Sequence, residues 1–267
     1  MANERQHWWG SYDFINEKCR LWHIGPLTLG VYRHNSEWQV ARNYGEDRDD
    51  DDIAWDVTTT NSLSESLATD YSRYILREST EQLTITPLLV PRPVISRPNI
   101  PFNLIAGEAI TVYVSTPLWL GLSLGPTLPR VLDEIPIQRP SDTWFGPSTM
   151  EGELCYASTT HCRLNLEELP QRPHRAVTPV LIENQADTTL SVERLRIPAP
   201  LLSLYTTPAG QLWTPKITLV RTTDGDMAAL NIDDKPPTEA NQVEPVGKPR
   251  QHNEGGTLTR AFNAVFS

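Results

Sequence analysis

Lysine is scarce in this chain of 267 residues, because only four of its 23 basic residues are lysines: Lys18, Lys216, Lys235 and Lys248. The other basic residues are arginines, whose planar guanidinium group suits paired hydrogen bonds to carboxylates better than an ammonium group does. The composition therefore predicts several structural contacts between arginines and carboxylates or backbone carbonyls. A local anion pocket is the less favoured alternative, because structural ion pairs also gather arginines.

Cysteines and long apolar segments are also few. Three cysteines (Cys19, Cys155 and Cys162) cannot form a disulfide framework, which is typical of intracellular proteins. The first residues have no apolar core of a secretory signal, and the most apolar stretch, residues 112–124, is shorter than the ~20 residues of a membrane helix. We therefore expect a cytoplasmic protein that does not insert into a membrane. The formal charge of −10 would repel phosphates, so no nucleic-acid partner is expected.

Several common catalytic motifs are missing as well. The chain has no glycine-rich phosphate loop, no H-E-x-x-H and no C-x-x-C. A serine nucleophile would have to be Ser141 or Ser148, with His161 or His174 and Asp142, but their spacing does not require a triad. Ser141 and Asp142 follow a proline, as turn-forming residues commonly do. The sequence favours a non-enzymatic protein without a cofactor.

Two groups of residues superficially suggest metal binding. In the acidic run of residues 46–52, Asp47, Asp49 and Asp51 alternate as in a calcium loop, but that loop requires a glycine at its sixth position and a glutamate at its twelfth. Asp52 and Thr58 stand there instead, so a solvated loop is favoured.

The second group comprises Cys155, His161 and Cys162. On one extended strand, Cys155 and His161 would be about 20 Å apart, which is too far for one zinc ion. No metal site is predicted.

The pattern of apolar residues favours strands, and the 23 prolines disfavour long helices. Residues 21–32 and 37–41 predict a hairpin with a four-residue loop. In residues 154–166 the even positions are largely apolar and the odd ones largely polar, which predicts one long strand with one buried face. The predicted fold is all-β: an antiparallel β-sandwich, or two packed sandwich-like halves, with few short helices.

The organisation along the chain follows from the same pattern. Residues 1–232 form the predicted β-rich domain, with a possible subdivision near residues 80–130. Residues 233–256 are polar and proline-rich, which predicts a mobile linker. In residues 257–267, Leu258, Phe262 and Val265 would share one helical face, so a short docking helix is predicted.

The candidate site combines residues 139–149 with residues 172–179, since both segments carry charged and aromatic residues beside turns. Such a mixture could form a concave site for an anion or a sugar. The proposed ligand-binding residues are Arg139, Asp142, Trp144, Arg163, Arg172, His174 and Arg175. The alternative is a loop whose Trp144 and Phe145 close one end of the sandwich, and this plug interpretation is favoured because most aromatic clusters in β proteins are core.

Several segments together resemble a known family, namely WWGSYD, WHIGPLTLGVYR, LLVPRPVISRP, SDTWFGPSTMEGELCYA, RPHRAVTPVLIEN and LRIPAPLLSLY followed by LWT. The family consists of uncharacterised prokaryotic proteins that share a domain of unknown function, and the resemblance spans about residues 8 to 230. It implies no activity, cofactor or catalytic residue. The family is associated with genes of small-conductance mechanosensitive channels, which implies a membrane channel protein as a possible partner.

Two functional hypotheses follow. The first is a non-enzymatic interaction or regulatory module whose β scaffold presents a face or an edge to a protein partner. The second is a small anionic-ligand-binding protein or hydrolase, in which arginines hold the anion and His174 or Asp142 titrates.

Overall fold

The computed structural model describes most of the chain, and its gaps are short. The described residues are 7–15, 19–46, 55–60, 67, 70–77, 80–125, 129–147, 150–160, 162–170, 172–252 and 258–262. They divide into two compact units. The first unit takes residues up to 88, residues 118–139 and residues 171–174, and the second takes residues 89–117, 140–170 and 175 onward.

One sheet of the first unit has five antiparallel strands in the order β5-β2-β3-β4-β6. These strands are β2 (Cys19–Ile24), β3 (Leu27–His34), β4 (Glu37–Tyr44), β5 (Trp55–Thr60) and β6 (Asp70–Ile75). The predicted hairpin is present as β3 and β4, but its turn has two residues, because Asn35 takes the left-handed conformation that such tight turns need. Residues 21–32, predicted as one extended run, form two strands that turn at Gly25 and Pro26.

The other layer of the first unit is built on β1 (Gly10–Asp13) and β7 (Gln82–Leu89). β7 also pairs with β10 (Ala109–Leu124), and β10 pairs with β11 (Arg130–Pro136). Aromatic side chains of the β1 segment pack on those of the five-stranded sheet, since Tyr12 meets the ring of Trp22 edge-on and Phe14 meets Trp38. The first unit is therefore a two-layer β structure with an aromatic core.

The turn between β2 and β3 depends on a glycine. Gly25 has a φ of +54°, and a Cβ atom built there would lie 2.4 Å from Nδ1 of His174. His174 is buried, and its carbonyl accepts a hydrogen bond from the Leu118 backbone at 3.2 Å. The imidazole therefore packs directly on the glycine backbone, and a larger residue at position 25 would displace it.

We predict that Gly25→Ala destabilises the protein by roughly 2–4 kcal/mol, because the left-handed conformation and the overlap with His174 both oppose a side chain. Gly107→Ala is the matched control: Gly107 has a φ of +80° but no atom within 4 Å of a built Cβ. It should cost about 1 kcal/mol. Urea unfolding of both variants measures the difference, and equal losses would contradict the packing of His174 on Gly25.

The second unit is organised around β14 (Arg175–Asn184), which pairs antiparallel with residues 109–117 of β10. β14 also pairs in parallel with β18 (Leu212–Trp213) and β19 (Ile217–Arg221). Further antiparallel neighbours extend from these two strands: β17 (Leu204–Thr206), β20 (Met227–Ile232), β21 (Glu244–Gly247) and β22 (Leu258–Arg260).

Two smaller sheets complete the described part of this unit. The four-stranded sheet has the order β12-β13-β8-β16, formed by β12 (Asp142–Phe145), β13 (Glu153–Thr160), β8 (Val94–Pro98) and β16 (Leu195–Ile197). β13 and β8 run in parallel, and the other two pairs are antiparallel. The two-stranded sheet consists of β9 (Phe102–Leu104) and β15 (Leu190–Val192).

The predicted all-β fold is confirmed, and the helical elements of the described residues are short 3-10 turns, among them Leu166–Glu168 and Ala199–Leu201. The predicted single strand over residues 154–166 is wrong in extent, because β13 ends at Thr160. Cys162 has a φ of +44°, which interrupts the extended backbone, and Leu164 and Leu166 are exposed beyond it.

The C-terminal segments differ from the sequence prediction. Within the predicted linker, β21 pairs with β17, and the backbone amides of Arg250 and Gln251 donate to the Pro200 carbonyl. Proline is compatible with an edge strand, so this composition did not exclude pairing. β22 stands where the predicted docking helix would begin, and Phe262 is buried in an isolated bridge with Leu195. Residues 253–257 and 263–267 lie outside the described residues.

Candidate interaction surface

The seven residues of the sequence-predicted ligand site divide between the two units. Arg139, Arg172 and His174 belong to the first unit, and Asp142, Trp144, Arg163 and Arg175 belong to the second. Their grouping into one ligand site stays a prediction. The contacts described below are those that each residue makes within its own unit.

In the second unit, the charged members of this set contact neighbouring strands. Nη1 of Arg92 lies 3.2 Å from Oδ1 of Asp142, and the same guanidinium lies over the ring of Tyr156. Nη1 of Arg175 donates to the Ser158 hydroxyl at 3.2 Å. Each of these contacts joins segments of the second unit to one another.

Arg163 and Arg139 also contact their own units. Arg163 lies 3.8 Å from Glu168, and its carbonyl accepts a backbone hydrogen bond from Tyr113. The guanidinium of Arg139 lies over the ring of Tyr44, 5.1 Å from the centroid. A cation above an aromatic face is stabilised by the negative charge of the ring face, so Arg139 contributes to the local structure of the first unit. Arg163 contributes to that of the second unit through Glu168 and Tyr113.

The hairpin of β12 and β13 bears on the plug interpretation. A Cβ atom at Gly152 would lie 2.2 Å from Nε1 of Trp144, so the half-buried indole packs closely on this glycine. The next residue, Phe145, is buried with Ile95 and Cys155 in a small apolar cluster. The aromatic pair thus covers the closed end of the hairpin and fills a part of the core.

We predict that Trp144→Ala destabilises the protein by about 3 kcal/mol, the lower end for a buried aromatic side chain. Leu154→Ala is the control, because Leu154 lies opposite Trp144 in the hairpin but is 41% exposed. It should cost less than about 1 kcal/mol. Equal melting temperatures for the two variants would contradict the plug interpretation and favour a ligand-binding role for Trp144.

All three cysteines are buried. Burial raises the pKa of the Cys162 thiol to about 12. Burial, followed by the nearby Glu153 carboxylate, raises the pKa of Cys155 to about 12, and burial also raises that of Cys19. The reactive form of cysteine is the thiolate, so these groups stay protonated and unreactive near neutral pH.

The structure describes only some of the residues that suggested metal binding in the sequence. His161 and residues 47–52 lie outside the described residues, as does Ser148. Among the residues that the structure does describe, no group of three or more His, Cys, Asp or Glu side chains is arranged to hold a metal ion.

The segment GLSLG at residues 121–125 matches the G-x-S-x-G pattern of the hydrolase nucleophile elbow. That elbow places its serine on a sharp turn between a strand and a helix. Ser123 instead lies inside β10, opposite Val131 of β11, and its hydroxyl lies 3.4 Å from the Thr84 carbonyl. The match lacks the geometry that activates such a serine.

The feature that sequence reasoning missed is the edge of the five-stranded sheet. Among the described strands, β6 is the last one in this sheet, and Tyr71, Arg73 and Ile75 project from one face of it. Tyr71 is 42% exposed and Ile75 is 76% exposed. We call these three residues, with Glu37 and Gln39 of the neighbouring β4, the edge surface. Its sequence signal is the alternation of Tyr71, Arg73 and Ile75, which becomes visible only when residues 70–75 are known to be a strand.

Side chains on both faces of β6 form hydrogen bonds to neighbouring strands. On the edge surface, Arg73 donates to both carboxylate oxygens of Glu37, at 2.8 and 2.5 Å. On the inner face, the Tyr74 hydroxyl donates to Asp133 of β11 at 2.8 Å, and Arg42 lies 3.4 Å from the same carboxylate. The apolar side chains of the edge surface are therefore presented on a strand that is fixed from both sides.

The Arg73–Glu37 pair also sets the charge of the edge surface. Hydrogen bonds from Arg73 and then from Gln39 lower the pKa of Glu37 to about 2. Glu37 thus remains a carboxylate at every physiological pH and balances the guanidinium. The edge surface is consequently apolar at Tyr71 and Ile75 and nearly neutral between them.

We predict that Arg73→Gln raises the pKa of Glu37 from about 2 toward the ordinary value, because the largest stabilisation of the carboxylate is lost. Since the folded-state pKa is depressed, the contribution of the pair to stability is present above the ordinary pKa and is lost as pH falls toward 2. A carboxyl-detected NMR titration of both proteins measures this change. An unchanged titration of Glu37 would show that Arg73 does not control its charge.

The described residues thus form a β protein with two compact units, of which the first has an aromatic core. Its G-x-S-x-G segment is part of a strand and not a nucleophile elbow. The chain belongs to the family of proteins of unknown function designated DUF432, whose family model matches residues 8–267. The predicted resemblance to such a family is confirmed, and the match extends beyond residue 230 to the last residue. No curated protein and no solved structure was found to match the chain. No helix of the described residues has the length and hydropathy to cross a membrane.

Proposed function

We propose that the protein is a cytoplasmic, non-enzymatic interaction module that binds an extended segment of a protein partner along β6. The observation that carries the proposal is the edge position of β6 together with its two exposed apolar side chains, Tyr71 and Ile75. An edge strand offers backbone N–H and C=O groups to an added strand, and alternate side chains provide specificity.

The construction of β6 supports this mode of binding. Soluble proteins commonly protect an edge with lysine, proline or an inward-pointing charge, and the segment DYSRYI contains neither lysine nor proline. Its one arginine is paired with Glu37 and does not present an uncompensated charge. An added strand would therefore meet little electrostatic opposition at β6.

The chemistry of the partner segment follows from the same residues. Side chains that face Tyr71 and Ile75 would be apolar and separated by three residues, because alternate positions share one face of a strand. The formal charge of −10 favours a segment from a basic protein surface through long-range attraction. The cytoplasmic part of a membrane channel protein, which the family association implies, is the first partner to test.

Site-specific photo-crosslinking in living cells tests this proposal. A photoreactive phenylalanine analogue replaces Ile75 in one variant and Met150 in the control, because Met150 is 94% exposed but lies in the second unit. We expect one discrete crosslinked species from position 75 and none from position 150. Mass spectrometry of that species should identify an extended, alternately apolar segment of another protein.

A second substitution makes the result specific to the edge surface. Tyr71→Lys, combined with the analogue at position 75, should abolish the crosslink while leaving the melting temperature within about 2 °C of the parent protein. Identical crosslinking from positions 75 and 150, or no crosslink at either, would refute the edge surface as the binding site. A crosslink to a second copy of this chain would replace partner binding by self-association.

A further inference from the structure

The backbone of β6 alternates in the direction of its hydrogen-bonding groups. In an antiparallel pair, opposite residues alternate between pairs that exchange hydrogen bonds and pairs that do not. The N–H of Leu76, the residue after β6, donates to the Ser36 carbonyl at 2.9 Å, and this contact continues the register in which Ile75 is opposite Glu37. Leu76 and Ser36 are therefore a hydrogen-bonded pair, and every second residue back along β6 also directs its backbone groups toward β4.

The residues between them direct their backbone groups away from β4. These residues are Tyr71, Arg73 and Ile75, which also carry the exposed side chains of the edge surface. No described strand lies beside β6 on this side. The edge surface thus offers three N–H and three C=O groups, and they belong to the same residues whose side chains would contact a bound strand.

The side chains of a bound strand would meet those of the edge surface directly. Residues opposite one another in a sheet project to the same face, with Cβ atoms about 5 Å apart. Three alternate residues of a bound strand would therefore stand opposite Tyr71, Arg73 and Ile75. The two outer residues would contact the apolar side chains, and the central residue would contact Arg73.

The guanidinium group of Arg73 has N–H groups left for such a strand. The group carries five N–H donors, and its contact with Glu37 uses Nε and one N–H of Nη2. The Arg73 side chain is 57% exposed. A hydrogen-bond acceptor at the central position can therefore bind the remaining donors. A lysine or arginine there would place two positive charges opposite each other, which destabilises a strand pair.

We propose that the edge surface selects a strand with apolar side chains at its first and fifth positions and a hydrogen-bond-accepting side chain, such as that of glutamate or glutamine, at its third. This inference rests on the proposed binding along β6 and adds the side-chain pattern of the partner. Arg73 determines specificity at the third position, because it stands opposite that residue. A basic partner surface is still attracted at long range when its positive residues lie outside the third position.

Titration of the isotope-labelled full chain with synthetic peptides, followed by NMR at constant ionic strength, tests the pattern. The peptides carry isoleucine at both apolar positions, terminal lysines, and glutamate, glutamine or lysine at the central position. We expect the glutamate and glutamine peptides to bind about three- to tenfold more tightly than the lysine peptide. Arg73→Gln should abolish this preference, whereas Arg130→Gln, which removes an exposed arginine of the same unit outside β6, should preserve it.

Amide hydrogen exchange separates this inference from the proposed function. In the free protein, the amides of Tyr71, Arg73 and Ile75 should exchange rapidly and those of Ser72 and Tyr74 slowly, and the glutamate peptide should slow the first three. Equal affinity for all three peptides, with this slowing present, would overturn specificity at Arg73 and leave binding along β6 intact. Slow exchange of the three amides in the free protein, or no slowing by any peptide, would overturn both.

Discussion

The first unit depends on the burial of five aromatic side chains that come from the β1 segment and the five-stranded sheet, namely Trp8, Tyr12, Phe14, Trp22 and Trp38. At 150–250 Å² each, their burial is worth about 4–6 kcal/mol per side chain as an upper bound. The polar ring atoms of Tyr12 and Trp8 are hydrogen-bonded, whereas Nε1 of Trp22 and Nε1 of Trp38 are buried without a hydrogen-bond partner among the described residues. The Tyr12 hydroxyl donates to the Trp8 carbonyl at 2.7 Å, and Nε1 of Trp8 donates to the Pro173 carbonyl at 2.9 Å. The second bond attaches residues 172–174 to this core, so His174 reaches Gly25 as a consequence of where the aromatic residues are buried.

Arginine has the corresponding structural role in the second unit. Arg221 is buried, and its guanidinium donates to the carbonyls of Gly225 and Thr188 and to the side chains of Asn184 and Thr188. A buried charge is tolerated when every donor has an acceptor, and the fork shape of arginine allows several acceptors to be reached at once. Lysine has a single ammonium group and could not bond Gly225 and the segment from Asn184 to Thr188 at the same time in this way. The expectation of structural arginine contacts is confirmed by Arg221, by Arg196 on Glu153 and by Arg250 on the Leu89 carbonyl.

The sequence predicted those features of the fold that depend on neighbouring residues. The hairpin of β3 and β4 was recognisable because its apolar residues alternate on both sides of a polar turn. The extent of β13 was not, because Cys162 takes a positive φ that no side-chain pattern requires. The edge surface was missed for another reason: whether a strand lies at an edge depends on the strand order, and residues 70–75 carry no information about their neighbours in the sheet. Likewise, the predicted ligand site was assembled from residues close in sequence, whereas Arg196 and Glu153 are 43 positions apart and become neighbours only through the four-stranded sheet.

The register of a sheet determines where its charges can be balanced. On the edge surface, Arg73 lies opposite Gln39 and reaches the Glu37 carboxylate one pleat away, so the positive charge is balanced within the sheet. In the second unit, a shift of one residue in the pairing of β8 with β16 would turn the buried Leu195 and Ile197 toward solvent. The apolar residues of β16 therefore determine its register, and the same register places Arg196, which alternates with them along the strand, where it bonds Glu153.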